Sequence, residues 1–243
     1  MEKKMSSLVK KIKKYLPYLA GILIIINLIF FFYVNKKLAP SDEAIVKILT
    51  NDDSILPRVI ERLDEIKRQN TEKKVSLHYE ELVKNSDLFL GNKNGSEVII
   101  EFFDYNCGYC KRSFSEIMDL ILENKNVKII LKELPVLGES SILASKASIA
   151  SKKQGKYFEF HQELMNFSGP ITIEDIIKIS EKLKINFEKL KNDMNSNETV
   201  ILINENYRLA ELIEVRGTPA FIIKNKLIPG AIGKNEMLSL LNK

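Results

Sequence analysis

The stretch Val98-Ile99-Ile100-Glu101-Phe102-Phe103-Asp104-Tyr105-Asn106-Cys107-Gly108-Tyr109-Cys110-Lys111 decides how this chain is read. Val98 to Phe103 is apolar except for Glu101 and carries the β-branched and aromatic residues of a buried strand. Tyr109 to Glu123 alternates apolar and polar residues at the period of an amphipathic helix. Cys107 and Cys110, the only cysteines of the chain, therefore stand at a strand-to-helix junction. There the first sulfur meets the unpaired N–H groups and positive dipole end of the helix, which stabilise a thiolate. The thiolate is the species that attacks disulfides. A purely structural disulfide spanning two residues would close too small a loop to stabilise much by chain entropy, so reactivity explains the pair better.

Outward from that junction, Leu88–Leu90 reads as a first strand, residues 91–95 as a turn, and Val127–Leu131 as a third strand. Strand, helix and strand in that order imply parallel pairing through a right-handed crossover. Leu137–Ile213 is mostly helical, with Thr172 after Pro170 restarting one helix and Asn186 starting another. Ala220–Ile223 and Lys226–Ile228 read as a hairpin around Asn225, and Lys234–Leu241 as a last helix covering the sheet. The order is βαβ, a helical insertion at about 137–213, then ββα.

The chain has 243 residues, 45% of them hydrophobic, and a net charge of +5. That suits one sizeable domain plus extensions. The lysines are spread along the chain, with no nucleic-acid motif, no Gly-rich phosphate loop and no internal repeat, so no nucleic-acid partner is expected. Leu16 to Val34 runs 19 residues without a charge, close to the roughly 20 that cross a bilayer as one helix. Lys3, Lys4, Lys10, Lys11, Lys13 and Lys14 precede it and only Lys36 and Lys37 closely follow. The positive-inside rule then places the N-terminus in the cytoplasm and everything after Asn35 outside. A retained anchor through residues 16–34 competes with a cleaved signal peptide. The length of the run and the poor cleavage site at Lys37-Leu38-Ala39 favour the anchor. The reading is a single-pass inner-membrane protein whose cysteines lie in the periplasm, where disulfide chemistry is permitted.

Residues 1–37 are thus a cytoplasmic tail and signal-anchor, 38–75 a helical stalk, and 76–243 the globular domain. Ser41 and Ser54 are candidate N-caps in the stalk, with Pro57 tolerated in the first turn. Ile45, Leu49, Leu56, Val59, Leu63 and Ile66 follow an alternating four-three spacing interrupted at Asp52. That is a coiled-coil-like seam, which predicts a homo-oligomer through residues 41–70; packing of the helix on its own domain is the competing reading. Residues 72–85 read as a linker and short helix into the domain.

Three local matches, in order and behind an export segment, carry a resemblance. They are Glu101–Lys111, then Lys156-Tyr157-Phe158-Glu159-Phe160-His161, then Val215-Arg216-Gly217-Thr218-Pro219-Ala220-Phe221. Together they resemble the DsbA-like branch of bacterial thiol–disulfide oxidoreductases, over roughly Leu88–Lys243. The resemblance implies an α/β chain with a thioredoxin fold and a helical insertion, preceded here by a transmembrane helix and a helical stalk. It implies Cys107 as nucleophile, Cys110 as the buried resolving thiol that releases a mixed disulfide, and the Cys107–Cys110 disulfide as the only redox group, with no cofactor. It implies a cis Pro219 with Thr218 contacting substrate or the cysteine pair, beside Gly108 and Tyr109. Without it, a trans proline starting a strand would be the default. Glu101, six residues before Cys107, resembles the buried acid that helps carry the proton of the resolving thiol; alternation alone would let it face solvent.

His161, among Tyr157, Phe158, Phe160 and Leu164, reads as packing or a helix-surface contact, and His78 as solvated. Phe102, Phe103, Met165 and Met194 read as core. Lys132-Glu133 has no assigned place. Zinc normally takes four ligands and the chain has two cysteines and two histidines, so no metal site is expected; copper(I) across two subunits stays open. Cys-Gly-Tyr-Cys lacks the histidine of the strongest oxidants. Together with Thr218 it resembles the disulfide isomerases, whose reduction potentials lie near about −180 mV rather than about −120 mV. An isomerase or reductase acting on exported cysteine-containing proteins, kept reduced by a membrane redox partner, is the first expectation. A disulfide-introducing oxidase is the second, and a non-enzymatic copper(I)-binding or scaffold protein the third.

Overall fold

In strand β2 (Glu97–Phe103) the last five residues are all buried, with no alternation of exposed and covered positions. Such a strand lies inside a sheet covered on both faces. The computed structural model describes residues 14–16, 18, 21–34, 41–84 and 87–242 and places β2 at the centre of a five-stranded sheet, in the order β1-β3-β2-β4-β5. Here β1 is Phe89–Gly91, β3 Val127–Glu133, β4 Ala220–Ile223 and β5 Lys226–Pro229. β2 and β3 are parallel, with Glu101 beside Leu131 and Phe103 beside Glu133. β1 on β3, β4 on β2 and β5 on β4 are antiparallel. The thioredoxin-like α/β fold expected from the motif order is thus present.

Each face of the sheet has its own apolar layer. Ile99, Phe103, Ile129, Leu131 and Phe221 pack with helices including α5 (Gly108–Glu123), α6 (Glu139–Ser151), α7 (Tyr157–Asn166) and α8 (Ile173–Lys182). α9 (Phe187–Met194) and α11 (Lys234–Asn242) belong to this layer as well. Ile100, Phe102, Ile130, Ala220 and Ile222 face the other way, against α10 (Asn197–Leu212) and residues of two earlier helices. The insertion between β3 and β4 therefore wraps from one face to the other. Thr172 caps α8 in a reciprocal capping box with Asp175, and Asn186 caps α9, both as their residue types predict.

Before the sheet come α1 (Lys14–Val34), α2 (Asp42–Asn51), α3 (Ile55–Leu77) and α4 (Tyr79–Val83). α1 is long and apolar enough to cross a membrane. Ser41 caps α2 by accepting from the N–H of Ala44. The chain packs as two units, one ending at Glu65 and one from Ile66 onward, so the expected stalk boundary at 75/76 falls inside α3. Of the linker and short helix expected at 72–85, the short helix is α4, and the residues before it continue α3 to Leu77 instead of forming a linker. Val75 of α3 and Leu82 of α4 are fully buried against the second face of the sheet, and Thr71 and Lys74 bond the Glu214 carboxylate at 3.1 and 2.9 Å. Two buried apolar residues in a polar run are too few to show a period. β3 extends two residues beyond Leu131 because Lys132 and Glu133 both find buried partners. The tail before residue 14, residues 35–40 with the cleavage reading, and residues 85–86 lie outside the described residues.

Leu82→Ala is expected to cost about 2–5 kcal/mol, the range for emptying a fully buried leucine site. Urea unfolding measures it, and a loss below about 1 kcal/mol would mean that α4 does not belong to the core.

Candidate active site

β2 ends in the turn Asp104-Tyr105-Asn106, which hands the chain to α5 with Cys107 as its N-cap. The Cys107 N–H donates to the Asp104 carbonyl at 3.1 Å, closing the turn. Side chains hold all three turn residues from behind. Asp104 Oδ1 accepts from Ser141 Oγ and from the Asn106 N–H, both at 2.7 Å, and its Oδ2 accepts from the Leu137 N–H at 3.0 Å. Asn106 donates to Ser140 and Ser141 at 3.1 and 2.9 Å. Tyr105 is fully buried and bonds Glu133, Ser148 and His161. The helical insertion thus forms the rear wall of the cysteine turn.

The two cysteines are free thiols with opposite environments. Cys107 is only 7% exposed, yet its thiol is pulled down from 9.0 to about 5. The largest cause is the Cys110 thiol, which donates to the Cys107 sulfur; the backbone N–H groups of Cys110 and Tyr109 and the side chain of Thr218 add to it. The N–H groups fall short of full capping geometry, so they act as aimed dipoles. The Cys107 thiol also donates to the Thr218 carbonyl at 3.2 Å. That bond favours the neutral thiol, and the thiolate must give it up. Cys110 lies wholly inside. Burial first, and then its bond to Cys107 and the charge of Glu101, push its thiol far above the usual range. One thiol is ionised at neutral pH and its neighbour is not, which is the division of labour that disulfide exchange needs.

Glu101 lies on the same face of β2 as Phe103, under the cysteine turn. It is buried, and its Oε1 has no hydrogen-bond partner in the protein. Desolvation raises its carboxyl from 4.5 to about 8, with the negative charge of Cys107 adding to the effect. The solvent-facing alternative for Glu101 does not hold. The Thr218–Pro219 peptide is cis, and β4 begins at the next residue. Pairing of Ala220 with Phe102 brings Thr218 across from the Cys107 turn. Gly108 is exposed, and a Cβ built on it would meet nothing within 4 Å, so open space lies above the helix N-terminus. Tyr109 is 60% exposed, and the Arg112 guanidinium sits 4.8 Å from its ring centre. The structure therefore gathers Cys107, Cys110, Glu101, Thr218, Pro219, Gly108 and Tyr109 around one helix end. Among the described residues no group of three or more His, Cys, Asp or Glu is placed to hold a metal.

Other expectations change. Of the two readings of His161, packing holds and the helix-surface contact does not: it is fully buried, ringed by Phe103, Tyr105, Phe114 and Tyr157. His78 is not solvated, because its Nδ1 lies 2.9 Å from Glu81 and its side chain is largely covered. Lys132 and Glu133 point to opposite faces of β3. Lys132 donates to the Lys84 carbonyl at 3.2 Å, while Glu133 enters the Tyr105 cluster. Sequence reasoning missed Arg112, a positive charge one turn beyond Cys107, and the serines of α6. Ser141, Ser145 and Ser148 recur at the four-three spacing of one helix face, a signal present in the sequence. Lys111, also unassigned, donates to the Leu164 and Phe167 carbonyls at the C-terminal end of α7, where its charge suits the dipole.

A family model described as a DSBA-like thioredoxin domain matches residues 98–242. Among solved structures, a thioredoxin-like oxidoreductase of Silicibacter pomeroyi DSS-3 is 34% identical, with a TM-score of 0.62 over 63% of this chain and 89% of the other. The thiol-disulfide exchange protein alpha-DsbA2 of Wolbachia pipientis is 28% identical, with a TM-score of 0.68 over 73% and 97%. The Na(+)/H(+) antiporter NhaA 1 of Salinispora arenicola is 22% identical over 138 residues, 56% of this chain. The chain spans only about a fifth (21%) of that antiporter's length.

Thiolate absorbance near 240 nm in the reduced protein is expected to titrate with a midpoint at about 5 and to vanish in Cys107→Ser. Two opposing pH dependences of stability follow. The depressed Cys107 thiol stabilises the reduced fold above its unfolded value, and this contribution is lost as pH falls through about 5. The raised Glu101 carboxyl contributes stability below 4.5 that is lost as pH rises toward about 8. Urea unfolding of Glu101→Gln against the native sequence should show the difference moving in the variant's favour between those two values, by on the order of 5 kcal/mol. A difference independent of pH would place Glu101 in solvent contact.

Proposed function

The chain belongs to the DsbA-like thioredoxin-domain family, and on that premise we propose that it exchanges disulfides in exported cysteine-containing proteins, as an isomerase or reductase. The contrast between the two thiols at the start of α5 is the observation that supports exchange chemistry. The Cys107 thiolate attacks one sulfur of a substrate disulfide, forming a mixed disulfide and releasing the other sulfur as a thiolate. In isomerisation a substrate thiolate then attacks the mixed disulfide and frees Cys107. In reduction Cys110 passes its proton to the Glu101 carboxylate and attacks the Cys107 sulfur. The Cys107–Cys110 bond forms, the substrate leaves as a second thiolate, and two electrons have moved from the pair to the substrate. Once the mixed disulfide forms, the Cys107 charge no longer raises Glu101, so its carboxyl ionises more readily and can take the Cys110 proton. Thr218, cis-Pro219, Gly108 and Tyr109 border the open space where an extended substrate strand can lie.

The isomerase or reductase reading is supported by the Cys107 thiol at about 5. That lies between about 7 for a reductant such as thioredoxin and about 3.5 for the strongest oxidant of this type. A lower thiol pKa stabilises the reduced form and makes the couple more oxidising. An intermediate thiol therefore corresponds to a couple less oxidising than the strongest oxidant and more oxidising than thioredoxin. The same lowered thiol keeps an oxidase as the second reading. α1 serves as the anchor, with the domain on the periplasmic side of the inner membrane and a membrane redox partner renewing the dithiol. Ile45, Leu56, Val59, Leu63 and Ile66 remain exposed on α2 and α3, which supports self-association through residues 41–70.

The full chain in detergent is expected to restore activity to a scrambled disulfide substrate, and Cys107→Ser to abolish this. Stoichiometric oxidation of a reduced substrate without any rearrangement of a scrambled one would select the oxidase. Light scattering is expected to give an oligomer that Leu56→Glu with Leu63→Glu dissociates; a monomer with the native sequence removes that assignment.

A further inference from the structure

Behind the cysteine turn lies a second buried acid that the exchange steps do not use. Glu133 is the last residue of β3, fully buried, beside Phe103 and on the face of the sheet that packs against α6 and α7. Three contacts join its carboxyl to neighbours, and two more extend the cluster from Tyr105. Ser145 Oγ reaches Glu133 Oε2 at 2.8 Å. Tyr157 and Tyr105 hydroxyls reach Oε1 at 3.1 and 3.0 Å. Tyr105 Oη in turn lies 2.7 Å from Ser148 Oγ and 2.8 Å from His161 Nδ1.

The protons of this cluster can be counted contact by contact. A phenol donates one proton and accepts others. With Tyr105 donating to Glu133, both Ser148 and the Nδ1–H of His161 donate to Tyr105. Every contact then holds one proton, with Glu133 ionised and His161 neutral. His161 Nε2 is left as a bare acceptor, and it is buried without a partner. A protonated Glu133 also leaves one proton in every contact, with its O–H donating to Tyr105, Tyr105 donating to His161 Nδ1 and the His161 proton moved to Nε2, where it is buried without a partner. The hydrogen bonds favour the carboxylate and burial favours the acid, with burial the larger effect. The other titratable groups facing the cluster are Tyr105, Tyr157 and His161, together with Glu101, whose charge reaches Tyr157.

We propose that Glu133 is a positioning residue for Cys107: its carboxyl group orients Tyr105, and Tyr105 holds the turn that sets the Cys107 sulfur against the N–H groups of α5. Tyr105 lies two residues before the sulfur, in a turn whose flanking residues are bolted to the same helix, α6. Releasing its hydroxyl lets the turn rotate and takes the sulfur out of line with Tyr109 N–H and Cys110 N–H. The inference rests on Cys107 being the reactive thiol but not on any substrate.

The test is the Cys107 absorbance titration and the glutathione redox equilibrium of the full chain, without substrate. Glu133→Gln and Tyr105→Phe are each expected to raise the Cys107 midpoint by about one pH unit, a tenfold lower thiolate fraction below the midpoint. Both should move the redox equilibrium in the reducing direction. The double variant should shift no further than either single one, because both act through one contact. Ile176→Val, a core truncation in α8 outside the cluster, should lower the melting temperature and leave both readouts unchanged. If Glu133→Gln does not fold, Tyr105→Phe decides alone, since it keeps the ring and removes only the hydroxyl. Variants that fold with the Cys107 midpoint within about 0.2 unit of the native value overturn the proposal, even if their stability falls. Failure of the exchange assays with this titration shift intact would count against the substrate reading alone.

Discussion

The Cys107 sulfur depends on being held still. A thiolate gains from helix N–H groups only while it lies in line with them, and that alignment is lost within the first turn. Three consecutive residues before Cys107 are therefore bonded to groups behind them: Asp104 to Ser141 and Leu137, Tyr105 to Glu133, Ser148 and His161, Asn106 to Ser140 and Ser141. Four of these seven bonds go to α6, the first helix of the insertion. The insertion acts less as an appendage to the sheet than as the support of the cysteine turn. Its small residues suit that task, since Ser141, Ala144, Ser145, Ala147 and Ser148 let α6 lie close against its neighbours.

Two carboxyl groups enter the same buried layer from adjacent strands, and their surroundings separate them. Glu101 has an unpaired oxygen and faces the cysteines. Glu133 is surrounded by three hydroxyl donors. Burial raises both to about 8, but the first is free to take and release a proton while the second is committed to hydrogen bonds. Carboxyls with the same shift can thus differ in chemistry, and the partner count tells them apart.

Much of this was legible beforehand wherever the signal was local. The β2–α5 junction, the helix caps at Ser41, Thr172 and Asn186, the hairpin around Asn225 and the ββα ending follow from residue type and period within a few positions. The cis bond at Pro219 was legible only through resemblance, because its local sequence favours trans. The readings that moved were mainly those where a residue finds a distant partner. Lys132 and Glu133 had no assigned place, and residues 72–85 read as a linker and short helix. Lys132 finds Lys84, and Val75 and Leu82 find the second sheet face; His78, read as solvated, is held by Glu81 three residues on.

The amino-acid sequence by itself determined which sulfur stands at a helix N-terminus, because that depends on one junction and a spacing of three residues. It also determined the order of elements and the apolar span before them, since periodicity and length carry both. Tertiary structure alone decided how strongly each group ionises. Desolvation depends on what is packed overhead, and Glu101, Glu133, Cys110 and His161 are covered by elements tens of residues away. It likewise decided that the serine face of α6 meets the cysteine turn, a contact made only when the insertion folds back across the sheet.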